Sequence, residues 1–193
     1  MALESSSIVN FISRVKSDFA RPNLFEVDLN FPSQAVKNAA TLKELGKFTV
    51  RAANLPSSQV GVVEVPFRGR VLKIAGDRTF EPWTITVQND VGFQLRTGFE
   101  SWMESIQAYT ENITQESDIE KYLQDMTVTQ IGRTGKAAQG GNKSEAKALA
   151  KYKFYSIWPS SVSAIDLDFG NNDSIEEFTV ELQVQYWEPQ STT

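Results

Sequence analysis

Apolar and polar side chains alternate almost without interruption over residues 175–187. Successive side chains of a β-strand point to opposite faces of the sheet, so this alternation predicts a strand with one buried and one solvated face. One face is expected to carry Phe178, Val180, Leu182, Val184 and Tyr186, and the other Thr179, Glu181, Gln183, Gln185 and Trp187. A helix cannot bury such a pattern, because its side chains repeat every 3.6 residues.

Further β-type runs make this a mainly β chain. Residues 83–88 alternate, with Trp83, Ile85 and Val87 on one side, and Pro66 and Gly69 favour a hairpin turn between two runs. The predicted strands cover 23–31, 48–52, 60–65, 70–75, 83–88, 126–131, 148–158, 162–169 and 175–187. We therefore expect a β-sandwich or barrel of antiparallel strands.

Helical spacing is confined to a few segments. Asp90 is expected to cap a packed helix whose apolar face carries Val91, Leu95, Phe99, Trp102 and Ile106. Ser117 and Glu120 fit a capping box for a short helix ending near residue 125. A single domain spanning 1–193 is predicted, with an N-terminal helix or arm at 1–20, an insertion at 33–46 and a flexible Gly/Lys-rich loop at 132–143.

The chain contains no cysteine and no histidine, which excludes thiol nucleophiles, disulfides, Cys/His zinc sites and imidazole proton transfer. Its 19 basic and 24 acidic residues give a formal charge of -5, the wrong sign for binding nucleic acid over the whole surface. Glu4 stands where a signal peptide carries positive charge, and no segment has the about 20 apolar residues of a spanning helix. Synthesis and residence in a cytoplasm are therefore expected.

Two short motifs have both a catalytic and a structural interpretation. Gly132, Gly135 and Lys136 resemble part of a phosphate-binding loop, but Gln130 and Ala137 replace its glycine and its magnesium-binding hydroxyl, which favours a flexible loop. Asp166 and Asp168 would lie about 7 Å apart on one strand face, a spacing compatible with a glycosidase pair. The solvated face of a strand explains the same two residues more simply.

Charge is unevenly distributed along the chain. Residues 133–153 hold six basic residues against Glu145 alone, a net charge of +5, which leaves -10 on the remainder. Aromatic residues among the lysines allow a nucleic-acid groove as one interpretation. Self-association through opposite charges is favoured. The expected contacts join Lys147, Lys151 and Lys153 to Glu116, Asp118 and Glu120 of a neighbouring copy.

Several segments resemble the major tail tube proteins of contractile-tailed bacteriophages. They are residues 19–27, the Ala-Gly-Asp-Arg-Thr-Phe block within 75–90, the pair Trp158-Pro159 and the segment 178–188, which occur in the family's order. The resemblance implies a β-sandwich or barrel with a flanking helix, assembled into hexameric rings that stack into a hollow tube inside a contractile sheath. It implies no enzymatic activity and no cofactor or metal. The 33–46 and 132–143 segments depart from the family pattern.

The resemblance also implies partners and a location. The partners are further copies of the chain, the tail sheath protein, the baseplate tube initiator, the tail terminator, and tape measure protein and DNA in the lumen without tight binding, with no membrane anchor. The protein would be part of the virion and assembled in the host cytoplasm. Alternatives are a tube subunit of a type VI secretion or contractile injection system, a baseplate tube initiator or, more remotely, a nucleic-acid-binding β-barrel module.

A tube that passes DNA must avoid binding it, so polar or acidic side chains are expected in the bore. The predicted lumen residues are Thr84, Thr86, Gln88, Glu181 and Gln183. The predicted inter-ring contacts are the hairpin residues Pro66, Phe67, Arg68, Gly69 and Arg70. Phe67 and Arg68 have two interpretations: a tip tucked back onto the body, or an exposed contact.

Overall fold

The computed structural model describes residues 8, 11–12, 19–136 and 145–191, and these fold mainly into β-strands. The strands are β1 (Phe25–Asp28), β2 (Val50–Ala53), β3 (Ser58–Phe67), β4 (Arg70–Phe80), β5 (Trp83–Gln88), β6 (Gln124–Lys136), β7 (Glu145–Val162), β8 (Glu177–Gln183) and β9 (Tyr186–Gln190). The helices are α1 (Ala39–Thr49), α2 (Gln94–Ile106) and α3 (Ile119–Tyr122). The prediction of a mainly β fold with few helices is confirmed.

Strand β7 organises the main antiparallel sheet, whose order among the described residues is β1-β6-β7-β8-β5-β2. The first part of β7 pairs with β6 and β9, whereas its last residues pair with β8. Close to the junction of the two parts, Ser156 has a φ of 53° and donates its backbone N–H to Asp125 Oδ1 at 3.2 Å. This irregularity divides the sheet into a first half-sheet (β1, β6, β9 and residues 145–157) and a second half-sheet (residues 158–162, β8, β5 and β2).

The two half-sheets share one apolar core. Trp83 of the second half-sheet stacks on Phe154 of the first, with ring centroids 4.3 Å apart. The inward residues of both are buried, as the alternation predicts: Val27, Met126, Val128 and Ile157 on one side, and Ile85, Val87, Phe178, Val180 and Leu182 on the other.

Helices α1 and α2 extend this core. Phe99 and Trp102 of α2 are buried, and their rings lie 5.0 and 5.9 Å from that of Phe31. Leu42 of α1 is also buried and lies over Gly98 of α2. Residues 33–46, predicted as an insertion, therefore contribute to the interior of this chain.

The structure corrects both helix starts. Helix α2 begins at Gln94, and Asp90 instead shapes the turn before it by accepting the N–H groups of Gly92 and Gln94. Val91, predicted on the buried face, is consequently fully exposed. The capping box at 117–120 does not form, because Glu116 accepts the N–H of Asp118 at 3.2 Å.

Strand boundaries differ from prediction in four places. Strand β7 continues from residue 158 through Pro159 to Val162, whereas residues 163–168 are irregular, so the predicted strand at 162–169 is wrong. Residues 175–187 split into β8 and β9, because the chain crosses from the second half-sheet to the first around Val184. Phe48 and Thr49 end helix α1 instead of starting a strand. Strand β6 runs through Lys136, into the loop predicted at 132–143, and the rest of that loop lies outside the described residues.

Most of the predicted N-terminal arm also lies outside the described residues. Ile8, Phe11 and Ile12 are described there, and all three are helical and exposed. The ring of Phe11 lies 6.4 Å from that of Phe19.

Candidate functional site

The outward side chains of β5 and β8 form one continuous polar surface, called the polar face below. Thr84 pairs with Glu181 across the two strands, and residues opposite each other in an antiparallel pair share a face. Thr86 and Gln88 pair with Thr179 and Glu177 in the same way. The structure therefore brings together all five residues that the sequence predicts for a lumen: Thr84, Thr86, Gln88, Glu181 and Gln183.

Hydrogen bonds fix part of the polar face. The side-chain amide of Gln183 donates to Ser160 Oγ at 3.0 Å and to Glu181 Oε1 at 3.1 Å. The outward residues of β5 and β8 include two glutamates and no basic residue. Glu177, at the end of the face, pairs with Arg51 of β2, so Glu181 carries the charge in the middle. The surface offers an anion no cationic group within these two strands.

Strands β3 and β4 form a separate two-stranded ribbon, and residues 59–75 are exposed along its whole length. Its turn residues Arg68 and Gly69 have φ values of 46° and 80°, as a two-residue type I′ hairpin turn requires. The predicted hairpin at Pro66–Gly69 is confirmed as a structural element. Its strands are longer than predicted because pairing continues back to Ser58 and Phe80.

One side of this hairpin, the apolar hairpin face, consists of large hydrophobic side chains. Val63 pairs with Ile74 and Val65 with Leu72, and all four are 41–60% exposed. On the opposite side Lys73 lies 3.6 Å from Glu64. Isolated two-stranded ribbons are marginally stable in water, and exposed apolar patches mark interaction sites, so this face indicates a partner surface.

The hairpin tip projects an aromatic and a basic residue. Phe67 is 67% exposed, and the Arg68 guanidinium lies 5.4 Å from the centre of its ring. Of the two interpretations left open by the sequence, a tip tucked onto the body is wrong for this chain. The exposed aromatic–arginine pair has the composition of interface residues.

The predicted basic contact residues differ in their surroundings. Lys153 lies 2.9 Å from Asp125 and 4.4 Å from the ring centre of Tyr155. The hydrogen bond to Asp125 raises the pKa of Lys153 above its usual value. Lys151 is exposed, and the side chain of Lys147 lies outside the described residues. Lys153 is thus already paired within its own chain.

The predicted acidic contact residues surround Lys121. Glu116 lies 3.1 Å and Asp118 3.8 Å from the Lys121 ammonium, whereas Glu120 is exposed. The hydrogen bond that Lys121 donates to Glu116 lowers the pKa of Glu116 and raises the pKa of Lys121. Solvent-exposed ion pairs of this kind contribute little to stability.

Neither catalytic motif has the structure that its chemistry requires. Gly135 and Lys136 pair with Ala146 and Glu145 as strand residues, so they do not form a phosphate-binding loop. Asp168 accepts the N–H of Gly170 at 2.8 Å and shapes a turn in the irregular segment after β7. No cluster of three or more potential metal ligands occurs within the described ranges.

Sequence reasoning missed two surfaces that the structure makes prominent. The signal for the apolar hairpin face was the large number of valine, leucine and isoleucine residues within 60–74, on both strands of a predicted hairpin. The exposed residues of the 163–176 segment, Leu167, Phe169 and Ile175, were assigned to strands and hence to a partly buried setting. The signal for this exposed surface was the position of Leu167 and Phe169 directly before the turn-forming residues Gly170 and Asn171.

An exposed polar sheet face and a free hairpin with apolar side chains are surfaces typical of a subunit that associates with others. The chain belongs to the phage tail tube protein family, whose model matches residues 20–190. It is 34% identical to the tail tube protein gp19 of Enterobacteria phage T4 over 172 residues, which covers 89% of this chain and 92% of that protein. It is 26% identical to the tail tube protein of Serratia phage KSP90 over 163 residues, 84% of each chain. The resemblance stated from the sequence is confirmed.

Solved structures agree on the fold. A chain from the anti-feeding prophage baseplate matches with a TM-score of 0.63 at 13% identity, covering 91% of this chain and 98% of that one. A chain from the extended sheath–tube complex of an extracellular contractile injection system, PVC, matches with a TM-score of 0.57 at 15% identity, covering 93% and 97%. Among the residues described here, no helix has both the length and the apolar character needed to cross a bilayer.

Proposed function

We propose that this chain is the subunit of an inner tail tube, built from hexameric rings stacked into a polar conduit that sheath contraction drives into a host. Membership of the tail tube family supports the tube, and the polar face supports the conduit. The subunit works without catalysis or a cofactor. It is a virion component assembled in the host cytoplasm, where it contacts the sheath, the baseplate tube initiator and the tail terminator, and encloses tape measure protein and DNA.

The polar face is proposed to line the bore. Its hydroxyl, amide and carboxylate groups present no cation for phosphate pairing, and phosphate contacts are the main source of non-specific DNA affinity. Six copies at -5 each give a ring a formal charge of -30, which disfavours retention of DNA. Glu181 in the middle of the face places part of that charge beside the passing duplex.

Ring closure is proposed to use the sheet edges. Strands β1, β2 and β9 are edge strands of the described sheet, and an exposed strand edge offers unpaired N–H and C=O groups to a neighbour. A contact between an edge strand of one copy and a different edge strand of the next copy is heterologous. Heterologous contacts close into a ring when the rotation from copy to copy permits it. Pairing of Lys151 with Glu120 of a neighbour would add to this contact.

Electron microscopy of the concentrated protein tests the tube. Hollow filaments with sixfold rings are expected, whereas isolated subunits at all concentrations, in the presence of sheath and baseplate proteins as well, would contradict the proposal. The assembled tube is expected to retain negligible duplex DNA at physiological salt.

A charge substitution tests the bore. Thr84→Lys with Thr86→Lys is expected to leave filaments intact and to make them retain DNA in a salt-dependent way, because two cations per subunit would then face the phosphates. Thr110→Lys, in an exposed turn away from β5 and β8, is the matched control and should change retention little. Equal retention by both variants would exclude the polar face from the lumen.

A further inference from the structure

The segment between β7 and β8 exposes three large apolar side chains. Leu167, Phe169 and Ile175 are 81%, 105% and 65% exposed, and with their neighbours they line an open depression of about 580 Å³. The turn at Asp168, with its bond to the Gly170 N–H and the Asn171 N–H bonded to its carbonyl at 3.2 Å, holds the backbone in place. A hydrophobic surface that is both exposed and shaped indicates a docking site.

This surface, called the acidic socket below, carries negative charge around its apolar centre. Asp166, Asp168, Asp173 and Glu176 lie in the segment, and residues 154–193 contain no lysine or arginine. The nearby Glu177 is already paired with Arg51. The complementary ligand is therefore a basic segment with an exposed hydrophobic anchor.

The hairpin tip has that composition. Arg68 and Arg70 lie at the tip without an acidic residue between 65 and 72, whereas Lys73 pairs with Glu64 on the other side of the hairpin. Phe67 stands exposed at the same tip, with Val65 and Leu72 behind it on the apolar hairpin face. Aromatic and arginine residues at such a tip are the types that dominate interface energetics.

The base of the hairpin and the socket lie at opposite ends of β5. The hairpin begins and ends beside the Trp83 end of β5, where the Trp187 indole N–H donates to the Ser57 carbonyl at 3.1 Å. The socket leads into Glu177, which pairs with Gln88 at the other end of β5. Six strand residues separate the ends by about 20 Å. A hairpin that extends away from this end of β5 would bring the tip of one copy to the socket of another copy, head to tail.

We propose that the hairpin tip of each subunit docks into the acidic socket of a subunit in the next ring. Phe67 packs among Leu167, Phe169 and Ile175, and the guanidinium groups of Arg68 and Arg70 pair with carboxylates of the socket. This docking rests on the proposed tube. A head-to-tail contact of this kind repeats without limit, because each added ring presents a new set of free tips.

Disulfide trapping tests the docking directly, since the native chain has no cysteine. A chain carrying Val71→Cys and Ser174→Cys, two positions beside the proposed charge contacts, is expected, after assembly and mild oxidation, to run as a ladder of linked chains on a non-reducing gel. A mixture of the two single variants should give dimers only, because each chain then has one thiol. Val71→Cys combined with Thr110→Cys is the matched control and should give no ladder.

The outcomes separate the docking from the tube. Filaments of the double variant without a ladder would overturn the docking and leave the tube standing. A ladder without filaments would support the docking and overturn the tube, and neither product would overturn both.

A charge exchange gives a second measurement. Arg68→Glu with Arg70→Glu, or Asp166→Lys with Glu176→Lys, should each raise the protein concentration needed for filament growth roughly tenfold or more, and all four changes in one chain should restore it. Failure of the combined chain to recover, with each variant folded by circular dichroism, would contradict the proposed pairing.

Discussion

Replacement of Leu42 tests whether helix α1 belongs to the body of this protein. Leu42 is 4% exposed, and a methyl group added to Gly98 of α2 would lie 2.6 Å from its Cδ1 atom. Leu42→Ala is expected to lower the free energy of unfolding by about 2–5 kcal/mol, since truncation of a buried leucine leaves a cavity between the helices. A peripheral insertion at 33–46 would tolerate the same change.

The partner substitution has a predictable sign. Gly98→Ala gains up to about 1 kcal/mol of helix propensity, but overpacking against Leu42 costs about 1–3 kcal/mol, so a net loss is expected. In the double variant the new methyl occupies space vacated by Leu42. Its loss should therefore be smaller than the sum of the single losses by about 1 kcal/mol or more.

Urea unfolding of the dilute, unassembled subunit measures these values, with the fluorescence of its four tryptophans, of which Trp83 and Trp102 are fully buried, as the signal. Thr41→Ala, at an exposed position of the same helix, is the control and should stay within about 0.5 kcal/mol of the native chain. A Leu42→Ala variant equal to that control, or a Gly98→Ala variant more stable than the native chain, would refute the packing argument.

Three other predictions concern charge and the hairpin. Lys151→Glu should slow filament growth without unfolding the subunit, as followed by light scattering and circular dichroism; unchanged growth would remove Lys151 from the subunit contacts. The pKa of Lys153 is raised above 10.5, so its pairing with Asp125 stabilises the fold below that pH and is lost as pH rises through the folded-state pKa. The difference in thermal midpoint between the native chain and Lys153→Met should accordingly shrink at alkaline pH, and a constant difference would contradict the pairing. Gly69→Ala should speed amide hydrogen exchange in the hairpin alone, because its φ of 80° is unfavourable for alanine, and unchanged exchange would show that the turn tolerates it.

The sequence predicted the inner strands well because their two environments differ strongly. Trp83, Ile85 and Val87 face the buried core, while the residues between them face solvent. The alternation with period two therefore predicts both the strand and its polar face. The five predicted lumen residues meet on one face for the same reason. The sequence does not predict that β5 pairs with β8. The structure shows this pairing, which places the outward polar side chains of the two strands next to each other.

Boundaries failed where tertiary pairing overrides local pattern. Pro159 suggests a strand end, but it lies in β7 and pairs in register with Leu182. Residues 175–187 alternate throughout, yet the crossing from β8 to β9 interrupts the strand near Val184. The alternation after residue 162 belongs to an irregular segment, so it mimics a strand without a partner strand to bond. Local periodicity contains no information about which segments find partners.

The polar face, the hairpin and the acidic socket lie on different elements of the fold, and the proposed tube explains this arrangement. The second half-sheet uses one face for the core, and we propose that its other face lines a bore that must not bind DNA, so neither face would supply area for contact between copies. Adhesion therefore has to come from elements outside that sheet, and the hairpin and the acidic socket are two described elements with exposed apolar side chains and opposite charge. Because the hairpin base and the acidic socket lie at opposite ends of β5, the proposed attraction between copies would act along the axis of the proposed tube and would leave the polar face of each subunit uncovered.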